Sequence, residues 1–253
     1  MRFIKHSMCL YFIFYFLISF TYAGTIDPDT SDSKYIEYGS QFDCVVKICC
    51  SNASELYCGS AVVIHPEWII TAAHVVENCN SWNITVGEEK FNIDKIIIYS
   101  KYDSNVFGYH DIAMGHLSKP IKLDYYPEIY EDNNEVGKTC SIAGWGLSGT
   151  FNTGAKFSDG KRRAGLNIID KTERTVLICS PSRKNEKITP LEYMICSGDS
   201  GGGLFIDKKL AGINSSVVGY NGSSNSRYGH ESCHTRISLY SEWIKINILL
   251  DNK

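Results

Sequence analysis

Short runs of β-branched and aromatic residues, separated by turn residues, recur along most of the chain. Cys44–Ile48, Ser60–Ile64, Phe91–Tyr99, Ile112–Leu117, Ser141–Trp145, Thr175–Cys179, Gly203–Ile206 and Leu210–Ser216 are all of this kind. Many short strands with frequent turns predict a sandwich or barrels, an all-β fold. One strong helical period stands at the end. Ile237, Tyr240, Ile244 and Ile248 are three or four apart, and Trp243, Ile246 and Leu250 widen the stripe. No internal repeat or low-complexity tract is visible. From Lys119 to Val136 the chain is charged and carries Pro120, Pro127 and Asn133-Asn134, which reads as a connection between two all-β halves. Leu147–Gly165 is a second loop-like stretch, and its Lys161-Arg162-Arg163 cluster reads as solvated.

The first 23 residues read differently. Arg2, Lys5 and His6 precede an apolar run from Met8 to Phe20 broken only by Ser19, and Thr21-Tyr22-Ala23 follows. A positive start, a short apolar centre and small residues at −3 and −1 describe a secretory signal peptide. The run is short for a membrane span, which needs about 20 apolar residues. Cleavage is expected after Ala23 or one residue later, with an uncleaved anchor as the alternative.

Removing this segment takes Arg2 and Lys5 from the 25 basic residues and leaves 23 against 28 acidic ones, a net charge of −5. Such a balance gives no electrostatic reason to expect nucleic acid or an anionic membrane as partner. The ten cysteines suggest an oxidising compartment. Loss of Cys9 makes the mature number odd, so one cysteine is left over or pairs between molecules.

Three segments carry chemistry. Ser197-Gly198-Asp199-Ser200-Gly201-Gly202-Gly203 sets a serine among glycines. A serine hydroxyl needs a base to take its proton and donors to stabilise the oxyanion it creates. Flanking glycines let backbone N–H groups turn toward such an oxyanion. In Ile69-Ile70-Thr71-Ala72-Ala73-His74 an apolar strand ends at a histidine, the usual general base near neutral pH. In His110-Asp111-Ile112-Ala113-Met114 an aspartate enters an apolar strand, where a carboxylate is costly unless hydrogen-bonded. Holding an imidazole is one such use.

Taken together, "TAAH", "HDIA" and "GDSGG" resemble, in order and spacing, the chymotrypsin/trypsin-like serine protease family. "CGSAVVIHPEWIITAAH", "DIAMGHLSKPIKL", "CSIAGWG", "LAGINSS" and "TRISLYSEWI" extend the resemblance over roughly residues 38–247. It implies two six-stranded antiparallel β-barrels with a C-terminal helix and an active site between the barrels. The division is then a signal peptide over 1–23 and a protease domain over 24–253, with barrels at 24–124 and 137–237 and a helix at 238–250. His74, Asp111 and Ser200 would form the triad of a secreted serine endopeptidase. Gly198 and Ser200 would supply the oxyanion hole, and Ser215 would support Asp111. Protein or peptide substrates, a monomer, no cofactor, no metal, no nucleic acid and no membrane after signal removal are expected.

The chain also departs from the family. It has no Ile-Val-Gly-Gly-like activation sequence, whose new ammonium in the family pairs with the Asp before the serine, here Asp199. Either signal removal exposes an amino terminus near Gly24–Ile26 that reaches Asp199, or an internal partner does so. If Asp199 stays unpaired, the chain is an inactive homologue. The ungapped match puts Met194 at the base of the specificity pocket, with Val217 and Ser232 at its wall and entrance. That implies small or medium apolar side chains before the scissile bond; "MIC" at Met194–Cys196 also fits an earlier family segment with a shortened loop. The resemblance implies pairs Cys58–Cys79 and Cys196–Cys233, with Cys179 a replacement partner for Cys140. Vicinal Cys49-Cys50 has no CxxC or histidine beside it to suggest a metal.

Sequons stand at Asn52, Asn83, Asn214 and Asn221, of which Asn214, in an expected core strand, should be bare. Two other readings compete with the endopeptidase. One is a catalytically silent homologue that binds or regulates. The other is an esterase, disfavoured because "GDSGG" is not the Gly-x-Ser-x-Gly elbow and the order of the three residues differs.

Overall fold

The computed structural model describes residues 24–106, 108–157, 159–182, 186–219 and 224–251. The leader read over residues 1–23 and the sequon at Asn221 lie outside them. Before the first barrel come β1 (Thr25–Ile26) and α1 (Asp32–Gly39). β2 (Val45–Ser51), β3 (Leu56–His65), β4 (Trp68–Thr71), β5 (Ser81–Val86), β6 (Glu89–Ile98) and β7 (Ala113–Leu117) close a barrel in the order β2-β3-β4-β7-β6-β5. α2 (Ala73–Val76) follows β4 directly. Alternation decides which side chains enter the barrel: Val46, Ile48 and Cys50 point inward from β2, Phe91 and Ile93 from β6. Ile48, Val62, Ile70, Ile84 and Met114 are fully buried there. Each such side chain contributes about 1.5–3 kcal/mol.

The second half contains β8 (Thr139–Gly144), β9 (Ser148–Thr150), β10 (Gly154–Phe157), β11 (Arg163–Ile168), β12 (Lys171–Glu173), β13 (Val176–Cys179), β14 (Tyr193–Met194), β15 (Gly203–Ile206), β16 (Lys209–Val218) and β17 (Glu231–Arg236). A seven-stranded antiparallel sheet runs β11-β8-β15-β16-β17-β13-β12. A four-stranded sheet runs β10-β9-β1-β14. β1 therefore inserts between two strands of the second half, parallel to β9 and antiparallel to β14. Residues 24–26 had been expected to lead the first barrel; their backbone pairing assigns them to the other half.

A 3-10 turn at Ile237–Tyr240 leads into α3 (Ser241–Asp251). Ile237, Tyr240 and Ile244 are buried as their spacing requires, but Ile246 and Leu250 are exposed, so the apolar stripe is narrower than expected. The basic triplet is not a solvated cluster. Arg163 is buried, with Nε and Nη2 on the two oxygens of Asp32 and Nη1 and Nη2 on those of Asp159. Arg162 donates to the carbonyls of Gly39 and Val45 and to Asp43. Both arginines fasten α1 and the chain after it to β11.

The cysteines also depart from expectation. β2 and β3 set Cys49 directly opposite Cys58, and these two form the disulfide. Cys79, the expected partner of Cys58, instead neighbours Cys50. No Cys196–Cys233 bridge is made, because Cys196 turns its Sγ to the Leu147 carbonyl at 2.6 Å while Cys233 faces Ile178 across β17 and β13. Cys140 and Cys179 do approach, Sγ to Sγ 3.9 Å.

Candidate active site

β4 delivers a buried apolar strand to Thr71, and the chain turns at Ala72 into α2. His74, on that single turn, keeps 37% of its side chain exposed. Asp111 lies at the entry to β7 and is buried. Its Oδ1 accepts the His74 backbone N–H at 3.0 Å, and its Oδ2 stands 2.7 Å from His74 Nδ1. Ser215 Oγ, from β16, donates to the same Oδ2 at 2.6 Å. Thr235 Oγ1 donates to the Asp111 carbonyl at 2.8 Å, so β17 holds the backbone as β16 holds the side chain.

Burial opposes ionisation of both groups, but the hydrogen bond and charge interaction between them prevail. Asp111 is held below the usual carboxylate range and His74 above the usual imidazole range. A carboxylate on Nδ1 fixes the tautomer that leaves Nε2 able to accept a proton.

Ser200 sits on a turn bonded to both halves of the molecule. Ser60 Oγ donates to the Gly198 carbonyl at 2.9 Å, and Ser60 N donates to the Ser200 carbonyl at 2.8 Å. Gly201 N donates to the Asn214 carbonyl at 2.7 Å. Gly201 has φ +85°, and a Cβ there would fall 2.0 Å from the Ser60 carbonyl oxygen, so no other residue fits. Ser200 Oγ lies 3.4 Å from the Ser215 carbonyl, at the long end of hydrogen bonding. Ser215 thereby touches both Asp111 and Ser200. The backbone N–H groups of Gly198 and Ser200 have no acceptor among the described residues, which leaves both available to a ligand oxygen.

Asp199 is fully buried. Its Oδ2 accepts the backbone N–H of Gly24 at 2.7 Å and of Cys196 at 2.9 Å, and its Oδ1 accepts that of Gly146 at 2.8 Å. The Tyr193 hydroxyl lies 3.4 Å from both oxygens. Burial outweighs these bonds and pushes the carboxyl up to about 6.

The expected pocket residues are less exposed than the resemblance implies. Met194 is fully buried in β14 opposite Thr25, because the short chain between Tyr193 and Ser200 keeps that segment paired with β1. Val217 and Ser232 are cross-strand partners, but Ser232 is also buried and gives its Oγ to the Cys179 carbonyl at 3.1 Å. The open surface beside His74 is a hollow of about 190 Å³ that also touches Tyr102, Asp103, Asp111, Ser215 and Ser216. Sequence reasoning did not single out Ser60, Thr235 or Tyr102. Ser60 is a small polar residue within a buried strand, and that anomaly was the available signal. Asn214 is buried, with Nδ2 on the Ala143 carbonyl at 3.0 Å and Oδ1 2.9 Å from His234 Nδ1.

Residues 35–244 match the family model described as "Trypsin". The chain is 31% identical over 212 residues to the chymotrypsin of Phaedon cochleariae, covering 74% of this chain and 71% of that protein. It is 29% identical over 181 residues to the trypsin of Simulium vittatum, covering 64% and 71%. The HL collagenase structure superposes with a TM-score of 0.67 at 19% identity, covering 83% of this chain and 95% of that one. Mouse brain neuropsin, a serine protease, does so with a TM-score of 0.63 at 19% identity, covering 80% and 93%.

Proposed function

The chain belongs to the trypsin family of serine proteases, and from that premise we propose that it is a secreted serine endopeptidase acting through His74, Asp111 and Ser200. The observation that carries this reading is the convergence on Asp111 Oδ2, which takes His74 Nδ1 at 2.7 Å and Ser215 Oγ at 2.6 Å. A buried carboxylate so engaged orients an imidazole and stabilises its protonated form.

In the proposed reaction, Ser200 Oγ leaves the Ser215 carbonyl and attacks the peptide carbonyl carbon. His74 Nε2 takes the hydroxyl proton and then gives it to the leaving amine. The N–H groups of Gly198 and Ser200 receive the oxyanion; losing one such donor typically costs about 10²–10³ in rate. Water, activated by the same imidazole, then releases the acyl group.

The family resemblance, which sets Val217 at the pocket wall and offers no carboxylate near Met194, supports a preference for small or medium apolar side chains before the scissile bond. Substrates are proteins or peptides. The leader-like residues 1–23 support secretion, and Asn52, Asn83 and Asn221 are the candidate glycan acceptors. A fluorophosphonate probe tests the reading. Mature protein should label at Ser200, and labelling no faster than in Ser200→Ala would sink it.

A further inference from the structure

β16 and β17 keep a regular register up to the pair Asn214 and His234, and then lose it. The next pair is Ser216 and Cys233, so Ser215 is an extra residue on β16, a β-bulge. That extra residue serves the site twice: its Oγ donates to Asp111 Oδ2, and its carbonyl faces Ser200 Oγ. Ser215 and Thr235 point to Asp111, while Asn214 and His234, one position before each, point to the other face of the sheet. A slip of one residue would turn Ser215 away from Asp111 and put Asn214 in its place. A bulge interrupts the ladder, so the pair at which it begins has to be held by something more.

That pair is joined through its side chains. Asn214, His234 and Ser232 are all fully buried. Asn214 Nδ2 donates to the Ala143 carbonyl of β8 at 3.0 Å, which turns Oδ1 toward His234 Nδ1 at 2.9 Å. Nδ1 is therefore the nitrogen that carries the proton. The single hydrogen of Ser232 Oγ faces two acceptors, the Cys179 carbonyl and the His234 Nε2 lone pair, each at 3.1 Å. Burial drives the imidazole pKa down to about 3, so the ring is neutral. Side chains thus tie β8, β16 and β17 together at one level. The Asn214 backbone adds two bonds to the serine turn: its carbonyl accepts Gly201 N–H at 2.7 Å, and its N–H donates to the Gly202 carbonyl at 2.8 Å.

We propose that Asn214 and His234 are a positioning pair for the active site: their buried hydrogen bond fixes where the β16 bulge begins and so aims Ser215 at Asp111 and Ser200. The inference rests on the protease reading and adds two residues that act on the triad through Ser215 and the serine turn. Apolar side chains could fill the same space without the desolvation cost of an amide and an imidazole. A buried polar pair, unlike an apolar contact, is satisfied in one register and stranded in the next.

His234→Asn and His234→Leu separate the bond from the packing, since the two side chains are similar in size and only asparagine offers an N–H to Asn214. With a peptide ester as substrate, His234→Leu should lower kcat about tenfold and keep KM within about twofold, and His234→Asn should recover most of the loss. In a Ser215→Ala background the two variants should have nearly equal kcat. Equal kcat in the parent background, or an undiminished gap in the Ser215→Ala background, overturns the inference. Should His234→Leu fail to fold, the double variant Asn214→Leu, His234→Phe removes both partners of the bond and takes its place. It should lose about tenfold in kcat at a Tm near that of the parent, and an unchanged kcat overturns the inference. If the parent protein neither turns over ester nor takes fluorophosphonate, the protease reading fails, and nitrogen NMR decides the pair. His234 should hold one proton, on Nδ1, from about pH 5 to 8; a proton on Nε2, or a ring that titrates in that range, overturns the pairing.

Discussion

Ser60, in the first barrel, holds the peptide of Gly198 in the second half: its Oγ donates to the Gly198 carbonyl at 2.9 Å. The same oxygen accepts the backbone N–H of Trp145 at 3.0 Å, so Ser60 passes one hydrogen bond across the cleft and receives another. This bond fixes the Gly198–Asp199 peptide directly before Ser200. Ser60→Ala should lower kcat about tenfold and leave KM nearly unchanged, since one buried bond is worth about 1–3 kcal/mol once its partner is stranded. Steady-state kinetics on a small peptide ester measure both constants.

Asp111→Asn keeps the shape of the site but offers an amide to Nδ1, favouring the wrong imidazole tautomer. Loss of about 10⁴ in kcat is expected, with a folded protein whose Tm above pH 7 is lower than that of the parent, since the ionised carboxylate stabilises the fold there. Retention of more than a tenth of the activity would remove Asp111 from the mechanism.

The pH profile should carry the mark of the same pair. Catalysis needs neutral His74, whose pKa is raised above 6.5 against the opposing effect of burial by the Asp111 bond. Plots of kcat/KM against pH should therefore fall on the acid side through a pKa above 6.5, and that limb should move down in Asp111→Asn. The stability contributions run in opposite directions. The part owed to His74 is fully present below its unfolded pKa and is lost as pH rises through the raised folded value. The part owed to Asp111, whose pKa is depressed, is lost as pH falls through the lowered one.

Arg163 is buried with two carboxylates, and removing it strands Asp159 and Asp32 beside β11. Arg163→Ala should cost about 3 kcal/mol in urea unfolding. Asp32→Asn should cost less, because the Asp32 side chain is 45% exposed.

Cys140 and Cys179 stand with sulfurs 3.9 Å apart inside the second half. Protein secreted through an oxidising lumen should yield a Cys140–Cys179 peptide by mass spectrometry, together with Cys49–Cys58. A Cys58–Cys79 peptide would contradict the register of β2 and β3.

Much of this was readable from contiguous residues. The strands followed from β-branched runs, and "TAAH", "HDIA" and "GDSGG" each hold their chemistry within a few positions. What could not be read depends on register between distant segments. Cys49 lies opposite Cys58 only because β2 and β3 pair with that alignment. Arg163 is buried only because α1 folds over β11, a contact no local pattern announces. The surroundings of the expected pocket residues were hidden for a related reason: ungapped counting back from Ser200 reaches Met194, and only the strand pairing shows that it lies opposite Thr25 of β1. A buried Asp199 demands partners, and the backbone N–H groups that meet it come from Gly24, Gly146 and Cys196, segments that no local pattern brings together.

The position of β1 has a consequence for the order of events during folding. Gly24 meets Asp199 across 175 residues of sequence, and Thr25 meets Met194 across nearly as many. As the ribosome delivers the chain, β1 emerges early and waits for partners made near the end. Contacts of such separation are slow to form because a long loop must close first. The first barrel can assemble while β1 is idle. Synthesis of the second half and docking of β1 then follow in that sequence, with one of the earliest described strands the last to settle.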